Sequence, residues 1–141
     1  MKDFSKLEWS IVPGPDALPA AVFPSDQVRG DVVTYGPERA AKALSELVGL
    51  TVHDSGDGDW WEWRATYEGE RDLFELNMTL YESAPPLWGG SDLIGVTVAQ
   101  EALNFFKKVV AKLPGTYLHS SEAELYSIDG FVATFLKSPS P

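Results

Sequence analysis

The sequence contains no cysteine. A chain without thiols forms no disulfide framework and offers no thiolate ligands to a metal ion. It needs neither, because a chain of about this size buries roughly 68–70% of its unfolded surface in an ordinary core. We therefore expect residues 1–141 to form a single domain. The absence of cysteine is also typical of cytoplasmic proteins, so the cytoplasm is the expected compartment.

Long apolar runs are missing as well. Asp3 and Glu8 interrupt the N-terminal region, which has no continuous apolar stretch of the kind found in a secretory signal. No segment approaches the roughly 18 apolar residues that a membrane-spanning helix requires. The sequence therefore predicts no association with a membrane.

Basic residues are scarce. Lys and Arg number 11 against 21 Asp and Glu, which gives a net charge of −10. Nucleic acids and anionic membranes bind cationic surfaces, so this balance argues against both as partners and permits a basic protein. Solubility alone would also account for an acidic surface.

Motifs for catalysis, cofactors and metals are absent. The sequence has no nucleophile elbow, phosphate-binding glycine loop or H-E-x-x-H pair. The acidic run 54–59 fits no EF-hand register: a loop that starts at Asp57 places Trp61 at the fifth position, and one that starts at Asp54 places Ala65 at the twelfth. We expect no cofactor and no metal. An enzyme is the least favoured class, and its most concrete form is a hydrolase that uses His119 and a carboxylate.

Hydrophobic periodicity predicts an α+β fold. Apolar residues at helical spacing indicate two main helices, at about 37–48 and 99–113. Ala40, Leu44 and Val48 belong to the apolar face of the first helix, and Phe105 and Val109 to that of the second. An antiparallel or mixed sheet of about five to six strands is expected, with both helices on one face. Strand-like segments are 6–12, 31–35, 50–53, 60–68, 73–81, 92–98 and 131–137.

The remaining segments are expected to connect these elements. Residues 13–30 contain four prolines and predict an irregular segment packed on the domain. Residues 83–91 predict a loop, 122–127 a helical turn with a capping box, and 138–141 a free tail. In 92–98, the alternation places Ile94, Val96 and Val98 together on one side.

The acidic residues concentrate between positions 50 and 85, where nine carboxylates accompany only Arg64 and Arg71. Period-2 alternation in 60–68 places Trp61 and Trp63 inward and Trp60 outward. An aromatic anchor surrounded by acids is typical of a surface that binds a basic protein, because the ring supplies contact area and the acids steer association. The predicted face consists of Asp54, Asp57, Asp59, Trp60, Glu62, Glu68, Glu70 and Glu75. The alternative is that Trp60 covers an edge of the sheet or packs under the segment 13–30.

Two further aromatic features leave alternatives open. Leu87 and Trp88 follow two prolines and would form an apolar anchor if they are exposed. A small-molecule-binding domain is the second hypothesis, with an aromatic pocket between sheet and helices. The residues expected to line that pocket are Trp61, Trp63, Tyr67 and Trp88.

In size, acidity, lack of cysteine and structural class, the chain resembles the immunity proteins with which bacteria neutralise toxins. The resemblance rests on these bulk properties and on no motif. It implies a basic partner, since many such toxins are basic nucleases. The first hypothesis is therefore a non-enzymatic domain that binds and occludes a basic protein, and a toxin-neutralising role is its most specific form.

Overall fold

A computed structural model describes residues 3–54 and 63–136. In this part of the chain, eight antiparallel strands form one sheet in the order β2-β8-β7-β1-β6-β5-β4-β3. The strands are β1 (Trp9–Pro13), β2 (Val22–Pro24), β3 (Leu50–Asp54), β4 (Arg64–Glu68), β5 (Leu73–Tyr81), β6 (Leu87–Ile94), β7 (Thr116–Ser120) and β8 (Glu124–Tyr126). The helices are α1 (Pro37–Ser45), α2 (Ala99–Lys112) and α3 (Ile128–Phe131), and a π-helical segment, Val132–Leu136, follows α3.

One face of the sheet forms the hydrophobic core. Alternate residues of β4 and β5, such as Ala65, Phe74 and Leu76, are buried in a cluster that also contains apolar residues of α1 and α2. Phe105 of α2 packs against Phe74 and Tyr67, with ring centroids 5.6 and 4.9 Å apart. The predicted α+β class is confirmed, with the two longer helices packed on the core face.

The opposite side of the sheet carries polar residues, and we call it the open face. Thr66, Glu75, Asn77 and Asp92 alternate with core residues along their strands and lie on this side. The two-residue period of a strand produces this division, since successive side chains point to opposite faces. The open face is therefore mainly polar, in contrast to the core face.

The sheet is larger than the sequence predicts, partly because β2 and the first half of β6 lie in segments that were expected to be irregular. β6 begins at Leu87, within the segment 83–91 that was expected to be a loop. Its Gly90 has φ +122°, and a Cβ there would lie 2.4 Å from the carbonyl oxygen of Ile11 on β1. The register with β5 shifts near this point, between Thr79 and Leu80. Gly90 therefore permits β1 and β6 to approach closely near the position where the pairing of β5 with β6 is irregular. Glycine in a strand often marks such a position.

The C-terminal part of the described chain is helical where a strand was expected. Segment 131–137 was predicted to be a strand, but its described part belongs to α3 and the π-helical segment. Phe131 and Phe135, four residues apart, both contact Trp9, with ring centroids at 5.6 and 5.3 Å. Ser127 caps α3 through a hydrogen bond from Gly130 N–H to its Oγ at 3.1 Å. Packing and capping override the β propensity of the phenylalanines and Val132.

Four smaller predictions also differ from the structure. Segment 122–127 contains β8 instead of a helical turn, and no strand forms in 31–35. Val48 follows the end of α1 and is 77% exposed, so it does not belong to the buried face of that helix. The proline-rich segment 13–30 is not wholly irregular, because it contributes β2 and a 3-10 turn, Ser25–Gln27.

Candidate protein-binding surface

The structure describes part of the predicted acidic face. Glu68 ends β4, Glu70 lies in the turn that follows, and Glu75 lies on β5; all three are exposed. The backbone of Asp54 ends β3 and pairs with Arg64. The side chain of Asp54 and the whole of Asp57, Asp59, Trp60 and Glu62 lie outside the described residues. The surface can therefore be built only from Glu68, Glu70 and Glu75 and their neighbours.

Two exposed apolar side chains lie beside these carboxylates. Leu73 pairs with Glu68 across β4 and β5, and Ile94 pairs with Glu75 across β5 and β6. Leu73 is 61% exposed and Ile94 43% exposed. Both alternate with buried residues, Phe74 and Leu93, so they point to the open face. They are among the few large apolar side chains that the described residues leave exposed.

Two further carboxylates complete the surroundings of this pair. Asp92 lies two residues before Ile94 on β6, and Glu8 immediately precedes β1, which pairs with that part of β6. Both are exposed. We call this surface the acid-ringed patch: Leu73 and Ile94 with Glu8, Glu68, Glu75 and Asp92.

The sequence prediction included only two of the six residues of this patch, Glu68 and Glu75. Ile94 was predicted only to share one side of its strand with Val96 and Val98. In the structure its neighbour Leu93 occupies the core, opposite Trp9 and Leu76, and β6 ends at Ile94. Ile94 therefore points to the open face, since successive residues of a strand face opposite sides. Glu8 and Asp92 were missed because only the pairing of β1 with β6 brings them together. The alternation of Asp92 with Leu93 was the one available signal.

A cleft opens next to the patch. It lies between the residues that precede β1 and the end of β6, and its volume is about 480 Å³. Glu8 and Asp92 contribute carboxylates to the lining, while Leu7 and Val96 contribute apolar walls. The cleft therefore combines apolar surface with negative charge.

The turn between β4 and β5 is fixed to the start of α2. The Asp72 carboxylate accepts hydrogen bonds from the backbone N–H groups of Thr97 and Val98 at 2.9 and 3.0 Å. Partial burial by itself raises the pKa of Asp72, but the hydrogen bonds from Thr97, Val98 and Leu73 outweigh it and hold the pKa below its ordinary value. Arg71, on the same turn, donates a hydrogen bond from its backbone N–H to the buried carboxylate of Glu101 on α2 at 2.7 Å. These contacts hold Glu68, Glu70 and Leu73 in a defined position.

Two lysines of α2 are engaged on the helical side of the sheet. Lys112 forms an ion pair with Glu46 at 3.0 Å. Lys108 donates a hydrogen bond to the Tyr67 hydroxyl at 2.9 Å and lies 5.1 Å from the centre of its ring. Both therefore interact with groups of the core side and with α1, not with the acid-ringed patch.

The proposed aromatic anchor and pocket residues lie mainly in the core. Trp88 is 1% exposed and donates a hydrogen bond from Nε1 to Ser91 Oγ at 3.3 Å, so it is not an exposed anchor; Leu87 is half-buried. Trp88 is buried because β6, where a loop was expected, turns it toward Tyr35. Trp63 and Tyr67 are also buried in the hydrophobic cluster, and Trp61 lies outside the described residues. Three of the four predicted pocket residues thus fill the core.

His119 contacts a serine. Its Nε2 lies 3.2 Å from Ser25 Oγ, and burial lowers the pKa of the imidazole. Within residues 3–54 and 63–136, no carboxylate forms a hydrogen bond to this ring. In the same ranges, no three His, Asp or Glu side chains converge as a metal site requires. The described contacts of His119 therefore do not include the acid partner that the hydrolase hypothesis required.

Comparison with known proteins identifies no relative. The chain matches no protein-family model, no curated protein and no solved structure. As for membranes, none of the helices in the part of the chain that is described has the length and apolar character needed to cross one.

Proposed function

We propose that the chain is a non-enzymatic binding domain that occludes the surface of a basic protein through the acid-ringed patch. The observation that carries this proposal is the exposure of Leu73 and Ile94 together on the open face, with carboxylates on the flanking strands. Apolar contacts of this kind supply binding energy once water is excluded from them, and the surrounding charges select the partner.

The charge of the surroundings defines the partner. Glu68 and Glu75 flank the apolar pair on one side, and Asp92 and Glu8 lie toward β1. A partner with acidic residues at this position would bring like charges together, which costs several kcal/mol in an interface. A lysine- or arginine-rich surface matches the charge and is steered toward it.

The rigidity of the surface supports the same function. The patch lies on paired strands, and Asp72 and Glu101 fix the adjoining turn to α2. A surface that is already ordered loses little conformational entropy when it binds. A toxin-neutralising role fits such a domain, because occluding a basic active surface needs a preformed acidic counterpart and no chemistry.

The first step of the test is capture with the full-length chain. The immobilised chain is used to capture proteins from its host, and the association and dissociation rates of each captured basic protein are then measured at about 50 and 150 mM salt. Screening over about 8 Å at the higher ionic strength should reduce the association rate. Capture alone is not support; the kinetics of matched variants decide.

The matched variants remove the same charge at different places. Glu68→Gln, Glu75→Gln and Asp92→Asn together should slow association roughly tenfold or more, since steering by complementary charge raises association rates by 10–10³-fold. Glu38→Gln, Glu82→Gln and Asp31→Asn remove three exposed carboxylates outside the patch and should change the rate much less. Equal effects of the two sets would mean that net charge acts without a defined patch. If the captured protein has an activity, one equivalent of the chain should abolish it.

A further inference from the structure

We propose that the cleft beside the acid-ringed patch receives one arginine side chain of the basic partner. This inference rests on the proposed function, since it assigns to the patch the anchor through which the partner is recognised. The cleft is formed where the segment before β1 faces the end of β6, and it is lined by Leu7, Glu8, Asp92 and Val96 among others. Its volume of about 480 Å³ falls in the range of sites that hold small molecules, so it has room for one side chain of a partner.

The side-chain hydrogen-bond donors of the lining are already used within the protein. They belong to Ser5, Trp9 and Thr97. Each already donates within the protein: Ser5 Oγ to Asp3 Oδ1 at 2.7 Å, Trp9 Nε1 to the Phe4 carbonyl oxygen at 3.1 Å, and Thr97 Oγ1 to Asp72 Oδ1 at 3.1 Å. Among the side chains of the lining, a ligand that enters the cleft therefore meets acceptors and no free donor. A ligand that brings donors of its own matches these side chains.

The carboxylate acceptors of the lining belong to Glu8 and Asp92. Among the described residues, neither Glu8 nor Asp92 has a lysine or arginine partner. The backbone of Glu8 is nevertheless fixed, because its N–H donates to Ser121 Oγ at 3.0 Å and its carbonyl accepts from Ser121 N–H at 2.9 Å. The backbone position of this carboxylate is therefore fixed, and no lysine or arginine within residues 3–54 and 63–136 neutralises it.

The spacing of the two carboxylates fits one planar cation. Asp92 pairs with Ser10, so Glu8 is its diagonal neighbour across β1 and β6. Diagonal neighbours in an antiparallel pair lie about 7–8 Å apart, which leaves room for a group between their carboxylates. Guanidinium has five donors in a fixed plane and no acceptor, so it can bind both carboxylates at once.

The apolar walls select a long side chain over a small ammonium ion. Leu7 and Val96 are half-buried and line the same cleft. The methylene groups of arginine pack on such surface while the charged end reaches the carboxylates. The occupant that matches both parts of the lining is an arginine side chain presented by a protein.

The test uses N-acetyl-arginine amide as the probe and N-acetyl-citrulline amide as its neutral counterpart, titrated into the full chain and followed by amide NMR. The arginine probe should cause saturable shifts at Ile94–Thr97 and at the Trp9 indole N–H, and citrulline should cause none of comparable size. Equal shifts with the two probes would overturn the proposal without any variant, since they would show that charge is irrelevant.

Variants then locate the site. Glu8→Gln with Asp92→Asn should weaken arginine binding roughly tenfold or more, whereas Glu38→Gln with Glu82→Gln, which removes the same charge at exposed positions outside the cleft, should leave it nearly unchanged. Unchanged binding in the first double variant overturns the proposal. Failure here is distinguishable from failure of the proposed function: a captured partner that still depends on Glu68 and Glu75 but not on Glu8 retains the patch and excludes the arginine anchor.

Discussion

The Asp72 carboxylate accepts two hydrogen bonds from Thr97. Oδ2 accepts one from the backbone N–H at 2.9 Å, and Oδ1 accepts one from the hydroxyl at 3.1 Å. With the further bond from Val98 N–H, one side chain joins the β4–β5 turn to the residues that start α2. The contact connects the acid-ringed patch to the helical layer. Asp72 therefore stabilises the fold, whereas the neighbouring carboxylates Glu68 and Glu75 are exposed and accessible to a partner.

Replacing Asp72 should destabilise the fold. We expect Asp72→Ala to cost about 1–2 kcal/mol, because it leaves donors at the helix start without their charged acceptor. Urea unfolding monitored by tryptophan fluorescence measures the change. Glu70→Ala, which removes an exposed carboxylate from the same turn, should cost less than about 0.5 kcal/mol. A cost as large for Glu70→Ala would show that the turn, not the hydrogen bonds from Thr97 and Val98 to Asp72, is sensitive.

Asp72 also predicts a dependence of stability on pH. Its pKa is lower in the folded chain, where the hydrogen bonds overcome the opposing effect of burial. The unfolded chain therefore binds this proton at higher pH, and the stabilisation is complete above the unfolded pKa of about 3.9 and is lost as pH falls through the folded pKa. The difference in unfolding free energy between wild type and Asp72→Asn should shrink in that acidic range. A constant difference would contradict the assignment.

Gly69 and Glu101 form a second contact that can be tested by coupling. A Cβ at Gly69 would lie 2.2 Å from Glu101 Oε2, so Gly69→Ala must displace a buried carboxylate. We expect a cost of about 1–3 kcal/mol. In the Glu101→Ala background, the same substitution should cost clearly less, since the carboxylate is gone. Strict additivity in this double-mutant cycle would mean that the two residues do not interact.

Much of this architecture follows from local pattern. The alternation of Ala65 with Thr66 and of Phe74 with Glu75 gives the correct faces of β4 and β5, and helical spacing gives α2 nearly residue for residue. These segments are predictable because one face of each is buried, so the pattern of apolar residues records the packing.

The remaining elements depend on contacts that are distant in sequence. The Gly89-Gly90 pair predicts a loop until β5 is placed beside it, since pairing with Thr79–Tyr81 explains a strand there. The close approach of Ile11 on β1 explains why position 90 is a glycine. Phe131 and Phe135 fit either a strand or a helix until Trp9 is placed under them. Only two of the six patch residues were predicted, for the same reason: Glu68 and Glu75 belong to one acidic segment, but Glu8 reaches the patch through strand pairing alone.

His119 predicts a second pH dependence, at higher pH than that of Asp72. Burial lowers the pKa of its imidazole in the folded chain. In the unfolded chain the imidazole is protonated as the pH falls through about 6.5, whereas in the folded chain protonation requires a lower pH. The contribution of neutral His119 to the free energy of unfolding should be complete above the unfolded pKa and should be lost as the pH falls through the folded pKa. His119→Gln should remove the slope in this range while Asp72→Asn leaves it intact. Thermal unfolding between pH 7 and 5 measures both; a slope that persists in His119→Gln would assign it to another group.

The apolar pair should act on dissociation. Leu73 and Ile94 gain contacts only after water has left the interface, whereas carboxylates act at a distance during approach. With a captured basic partner, Leu73→Ser and Ile94→Thr should each accelerate dissociation roughly tenfold and alter the association rate little, and the effect should persist at high salt. Both side chains are exposed, so the fold should tolerate the changes. Val48→Thr alters an exposed apolar residue beyond α1 and serves as the matched control. If Leu73→Ser slows association instead, or matches Val48→Thr, the apolar pair is not the centre of the interface and the acidic residues act alone.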